Sequence, residues 1–159
     1  MGAYATWDLL ACAPATFAIG IPMSGGGDTK LAARVTARVW AFHGIPDRSV
    51  PVNASREIVD ALAAARHSVG GALPNAPWAT KGRYEGWTTD VSFGLRYTEL
   101  LHASHYQACS APMLDKGMAA PLFEWTLAQL RAAGFDQHRA LRKWAKKSPT
   151  VEPRRTREA

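Results

Sequence analysis

Residues 39–62 read VWAFHGIPDRSVPVNASREIVDAL, and the change of pattern inside this stretch decides the fold class. Ala37 to His43 (ARVWAFH) is a continuous apolar run rather than an alternating one, which predicts a strand covered on both faces, as in the parallel sheets of α/β proteins. The run stops at Gly44 and passes into a loop with Pro46, Asp47 and Pro51. Asn53 can then cap a helix in which Ile58, Val59, Leu62 and Ala65 form one stripe. Strand, loop and helix follow one another within thirty residues.

The flanking sequence extends that unit on both sides. Residues 2–13 carry Ala5, Leu9 and Cys12 at helical spacing and stop at Pro14, which denies its predecessor the helical region. Thr16 to Met23 (TFAIGIPM) is a short apolar run entering Ser24-Gly25-Gly26-Gly27-Asp28, a buried strand leading into a loop. Beyond the central unit, Val91 to Leu100 is a third strand candidate. Pro121 suits a first helical position, Phe123, Leu127 and Leu130 form a stripe behind it, and Gly134 is a plausible terminator. The order helix, strand, strand, helix, strand, helix predicts a parallel sheet with right-handed crossovers and flanking helices, with functional residues gathered at the carboxyl ends of the strands. Between them, residues 68–89 form a Gly/Pro-rich stretch with Trp78, Tyr84 and Trp87. A loop of about twenty residues is unusual in a compact domain and points to an insertion, with a lid over a substrate as one role.

Two places lie at the carboxyl ends of predicted strands. After the strand ending at His43 comes Asp47, and after the strand ending at Leu100 come His102 and His105. An acid after one strand and a histidine after the next are the orienting carboxylate and the general base of a nucleophilic triad, in the chain order Ser, Asp, His. Each residue alone is more often a turn or capping residue. Their order is the signal.

Residues 39–62 resemble the segment around the catalytic acid in the esterase and polyhydroxybutyrate-depolymerase-like branch of the α/β-hydrolases, which runs W-x-F-H-G-x-x-D-x-x-V-P followed by S-R-x-x-V-x-A-L. LRYTELLHASHY resembles that branch's last strand and histidine loop, PLFEWTLAQ its final helix, and IPMSGGGD the loop after an earlier strand. The start, Met1-Gly2-Ala3-Tyr4-Ala5-Thr6-Trp7, resembles the trailing half of its S-M-G-x-x-x-T-W nucleophile elbow. The likeness covers residues 1 to about 133, outside the 68–89 stretch, and implies the C-terminal part of an α/β-hydrolase fold with an incomplete sheet. It implies Asp47 as triad acid and His105 as base, because the family histidine falls six positions after the glutamate matched by Glu99. It gives His43 a supporting place in the acid loop. Met1 would contribute its backbone N–H to the oxyanion hole, and the nucleophilic serine would precede Met1.

No serine within the chain takes that place, since Ser24 has Pro22 where the elbow needs a glycine. The family's tryptophan soon after the histidine is replaced by Tyr106-Gln107-Ala108-Cys109. The expectation is therefore the C-terminal fragment of a serine hydrolase acting on small carboxylic esters, retaining acid and base and inactive alone. Its first strand would be an unpaired edge and an aggregation template. The alternative is a non-catalytic remnant or interaction module acting through a basic tail. A phosphate site at Gly25-Gly26-Gly27 lacks the lysine and helix start of a P-loop.

Composition bounds these readings. At 159 residues, 47% hydrophobic and 20% charged, the chain has ordinary globular composition. The basic C-terminal tail accounts for the net charge of +6 from residue 139 onward, where Arg139, Arg142, Lys143, Lys146, Lys147, Arg154, Arg155 and Arg157 outnumber Glu152 and Glu158. That tail, placed at residues 136–159 behind a partial domain of residues 1–135, carries one aromatic, Trp144. It lacks the interleaved aromatics of a single-strand binding surface, so no specific nucleic-acid partner is expected. No run approaches the roughly 18 apolar residues of a membrane span, and the start has no basic leader region. Localisation stays open. Cys12 and Cys109 have neither metal-ligand nor disulfide-scaffold spacing and are expected as small, at least partly buried residues; no metal or cofactor pattern is present.

Overall fold

The computed structural model describes residues 1–67, 78–80 and 83–134. The basic tail and residues 68–77, 81 and 82 of the expected insertion lie outside them. In chain order the elements are α1 (Gly2–Cys12), β1 (Ile19–Gly20), a 3₁₀ turn (Thr29–Arg34), β2 (Arg38–Gly44), α2 (Asn53–His67), β3 (Trp78–Ala79), β4 (Gly86–Ser92), β5 (Leu95–Leu100), α3 (His105–Leu114) and α4 (Lys116–Ala132). The strands form one sheet in the order β1-β2-β5-β4-β3. β1, β2 and β5 run parallel, and β4 and β3 extend the sheet antiparallel.

β2 lies inside the sheet, between β1 and β5, and both its faces are apolar. Val39 and Ala41 point into a core with Trp7 and Leu10 of α1 and Ile58, Val59 and Leu62 of α2. Trp40 and Phe42 point the other way, against Ala108 and Ala111 of α3 and Met118, Leu122 and Trp125 of α4. Three layers result, two of helices around the sheet, and the α/β architecture with parallel central strands is the one that the continuous run of β2 predicts. Trp40 anchors the second layer by stacking on Phe42 at 5.1 Å, meeting Trp125 edge-on at 5.5 Å and donating its indole N–H to Thr98 Oγ1 at 2.9 Å. Truncating a buried tryptophan of this kind removes about 3–5 kcal/mol.

The helix faces differ from those expected at both ends of the chain. α1 buries Ala3, Trp7, Leu10 and Ala11 and leaves Leu9 and Cys12 exposed. α4 buries Met118, Leu122 and Trp125, so Phe123 and Leu127 face solvent. Each helix carries two apolar stripes, and tryptophan, with the most area to bury, selects the inner one. Cys109 is partly buried, as anticipated. Pro121 sits well inside α4, which begins at Lys116 because Asp115 accepts hydrogen bonds from the N–H groups of Gly117 and Met118. Gly134, at φ +77°, follows the end of that helix.

The third strand is also divided. Phe93-Gly94 forms a two-residue hairpin turn with Gly94 at φ +67°, so Val91 and Ser92 belong to β4 and only Leu95–Leu100 to β5. β4 starts at Gly86, which turns the end of the expected insertion into sheet, with Trp87 exposed on it. The glycine run after β1 serves packing. A Cβ at Gly25 would meet Ala3, at Gly26 Ala54 and at Gly27 Trp7, so the three glycines let this loop pass between α1 and α2.

Candidate active site

The site grows from the carboxyl end of β2, where a histidine, a glycine and an aspartate each solve a different packing problem. Gly44 faces the backbone of Ala103, and a Cβ there would overlap the Ala103 carbonyl oxygen. That close approach brings the loop before α3 alongside the loop after β2, although the two lie some sixty residues apart in sequence. Ile45 N–H extends the contact by donating to the Leu100 carbonyl at 2.8 Å.

Asp47 sits in the turn that Gly44 opens, its side chain fully shielded from solvent. Its Oδ1 accepts from the N–H groups of Ser49 at 2.8 Å and Val50 at 2.9 Å. Its Oδ2 lies 2.7 Å from His105 Nδ1 and 3.4 Å from His43 Nε2. Burial alone would raise the carboxyl pKa, but the Val50 N–H, the His105 hydrogen bond and the Ser49 N–H outweigh it and hold Asp47 below the ordinary carboxylate range. The group is a fixed anion at neutral pH.

His105 is the first residue of α3, and Ser104 caps that helix. The Ser104 backbone N–H and hydroxyl both donate to Gln107 Oε1, at 2.8 and 2.9 Å. With Nδ1–H donated to Asp47, the ring presents Nε2 as its lone-pair nitrogen, and the side chain is one-third exposed. Among the described residues no group hydrogen-bonds Nε2. His102, the other histidine after β5, is exposed and faces Glu85 at 3.8 Å. The structure thus joins Asp47 to His105 and leaves His102 out.

His43 is fully buried behind the acid. Burial lowers its pKa, against the Val50 carbonyl and the Asp47 charge, so the neutral ring is favoured. Nε2–H then donates to the Val50 carbonyl at 3.0 Å, which ties down the far end of the Asp47 turn. Nδ1 lies 2.6 Å from the Ser55 hydroxyl, whose oxygen is also 2.8 Å from the Gly25 carbonyl. A chain of polar contacts therefore runs from the loop against α1, through α2, to the carboxylate. Next to Ser55, Arg56 grips Glu99 through two hydrogen bonds, at 2.6 and 2.8 Å, and so links α2 to β5. The Ser55-Arg56 pair was visible as a motif, but its partners come from loops and strands distant in sequence.

Met1 precedes the first helical residue of α1 as its N-cap and is almost wholly exposed; its carbonyl accepts from the Ala5 N–H. Ala3 packs on Gly25, which places the N-terminus of α1 beside the loop that Ser55 holds. Ser24, at φ +56°, is buried and its hydroxyl has no partner among the described residues. It is closed off from any substrate. Among the described residues no three His, Cys, Asp or Glu side chains cluster to hold a metal, and no helix is long and apolar enough to cross a membrane.

A buried carboxylate that orients a histidine, with the second ring nitrogen open, is an acid–base pair suited to activating a hydroxyl nucleophile. No family model matches the chain. Over 90 residues it is 36% identical to Serine carboxypeptidase-like 25 of Arabidopsis thaliana, a match covering 57% of this chain and 17% of that protein. The crystal structure of a thermostable esterase superposes with a TM-score of 0.51 at 27% identity, over 77% of this chain and 28% of the esterase. The chain spans less than a third of either protein. Its three-layer architecture and these two likenesses relate the chain, over part of their length, to the esterase-like α/β-hydrolases.

Proposed function

We propose that the chain supplies the acid–base part of a serine hydrolase for small carboxylic esters, with Asp47 and His105 as its catalytic residues. The observation that carries this reading is the 2.7 Å contact between Asp47 Oδ2 and His105 Nδ1, made by a carboxylate already held by two backbone N–H groups. His105 Nε2 takes the proton of the attacking serine and returns it to the leaving alkoxide. Asp47 fixes the tautomer and stabilises the imidazolium. The serine belongs immediately before Met1, at the N-terminus of α1, with the Met1 N–H as one oxyanion donor once it is part of a peptide bond.

Two surface features support a continuation of the fold on that side. β1 pairs with β2 on one edge only among the described residues. α1 and α4, which flank it, both expose apolar side chains, Leu9 on one and Phe123 and Leu127 on the other. Without the serine, residues 1–159 have no nucleophile at this point, and loss of the nucleophile costs about 10⁶ in kcat in a serine hydrolase.

The test compares p-nitrophenyl butyrate hydrolysis by residues 1–159 with that by the same chain extended by the in-frame sequence encoded upstream. The expected result is no turnover from the first and turnover from the second that falls by about 10⁴-fold or more in His105→Ala. An upstream stop codon, or turnover indifferent to His105→Ala, would overturn the proposal.

A further inference from the structure

The opposite, amino-terminal end of β2 holds a charge arrangement that the ester-hydrolysis reading leaves unused. Arg66 leaves the last turn of α2 half-buried and donates to the carbonyl oxygens of Ala37, at 2.6 Å, and Phe93, at 3.0 Å. A guanidinium has five N–H groups, so three remain beyond these contacts. Arg38, the first residue of β2, lies with its guanidinium carbon 4.6 Å over the Phe93 ring and donates to Gln129 Oε1 at 2.9 Å. No described carboxylate pairs with either arginine. Burial, and after it the neighbouring Arg38 charge, lowers the Arg66 pKa from its ordinary range, which is the mark of a cation held without an anion.

Both arginines border a surface cavity of about 420 Å³. This lies within the 300–1,000 Å³ typical of small-molecule sites. The rest of its wall is largely apolar, from Ala33 in the 3₁₀ turn, Val35 just after it, Leu62 on α2 and Phe93 in the hairpin turn. An inorganic anion would answer the two charges but leave that wall wet. A ligand with a carboxylate head and a hydrocarbon body answers both, because a planar carboxylate matches the fork of a guanidinium. We propose that this cavity binds an alkyl or aryl carboxylate, its head on Arg66 and Arg38 and its body against Leu62, Val35 and Phe93. The site is separated from Asp47 and His105 by the length of β2, roughly 20 Å at the usual strand rise.

The experiment is ligand-observed NMR on the 159-residue chain with hexanoate, hexanol and inorganic phosphate as separate probes. Hexanoate is expected to bind saturably, hexanol and phosphate at least tenfold more weakly. Arg66→Gln is expected to weaken hexanoate tenfold or more. Because Arg66 also holds two backbone carbonyls, a second variant, Ala33→Trp, fills the cavity from an exposed position; it is expected to abolish hexanoate binding with the thermal midpoint unchanged. Equal binding of hexanol would reduce the cavity to an apolar cleft, and equal binding of phosphate would reduce it to general anion attraction. Either overturns the proposal, as does wild-type hexanoate affinity in folded Ala33→Trp.

Discussion

The two ends of β2 each bury a charge, and they treat it in opposite ways. At the carboxyl end Asp47 is surrounded by groups that favour its ionised form: two backbone N–H donors, the His105 ring and, further off, the His43 ring. At the amino end Arg66 meets two carbonyl dipoles, and the nearest charge acting on it is the like charge of Arg38. A buried ion with its partners in place is part of the fold, and removing a partner exposes the full cost of desolvation. A buried ion without a counter-ion is a standing cost that a ligand can relieve. The carboxyl end therefore has the character of a preorganised reaction site and the amino end that of a recognition site.

The largest way to break the carboxyl end is through its backbone. Gly44→Ala drives a Cβ into the Ala103 carbonyl and is expected to cost about 3 kcal/mol in urea unfolding, at the upper end for overpacking, since backbone rather than a side chain must move. Gly2→Ala, with nothing near its added Cβ, serves as the matched control and should stay within about 1 kcal/mol of the parent.

Next in size is the direct comparison of charges. Asp47→Asn turns one acceptor oxygen into a donor among groups that need an acceptor, and should cost about 2 kcal/mol. Arg66→Gln loses two hydrogen bonds but relieves an uncompensated cation, and should stay within about 1 kcal/mol of the parent. Equal losses for the two variants in the same urea series would erase the distinction between the ends of β2.

The pH dependence sharpens the same point. His43 is held below its ordinary 6.5, so the unfolded chain binds more protons there, and its stabilising contribution is present above pH 6.5 and lost as the pH falls toward the folded value. Asp47, held below 3.8, adds a second loss further into acid. The midpoint of thermal unfolding should therefore fall with acidification from about pH 6.5, and His43→Gln should remove the first part of that slope. The smallest effect belongs to Arg56→Ala. Its pairing with Glu99 is bidentate but half open to water, worth about 1 kcal/mol, and 0.5 M salt should shrink the difference from the parent.

Legibility followed how much of each cause was local. β2 and α2 were readable because a continuous apolar run and a four-residue stripe are forced by burial on two faces and on one. The orientation of α1 and α4 is not legible in the sequence because each offers two apolar stripes, and the choice depends on which partner accepts Trp7 or Trp125. The Phe93-Gly94 turn is hidden in the sequence because Val91 and Ser92 continue an extended pattern up to it, and Gly94 is its one local signal. His43 was legible as part of the acid loop but not as the link from Val50 through Ser55 to Gly25, because hydrogen-bond partners leave no periodicity. Arg38 and Arg66 carried no motif at all.

What the sequence determined by itself was the class of the fold, the order of its central elements and the pairing of an acid after one strand with a histidine after another. Apolar periodicity and strand ends are written in neighbouring residues. Tertiary structure alone decided how His105, the histidine that the family likeness already implies, is carried onto Asp47, since that rests on Gly44 admitting the Ala103 backbone and on Ser104 starting α3 one residue before His105. It also decided that Arg66 and Arg38 share a cavity. Both outcomes depend on distances between segments that only the packed sheet brings together.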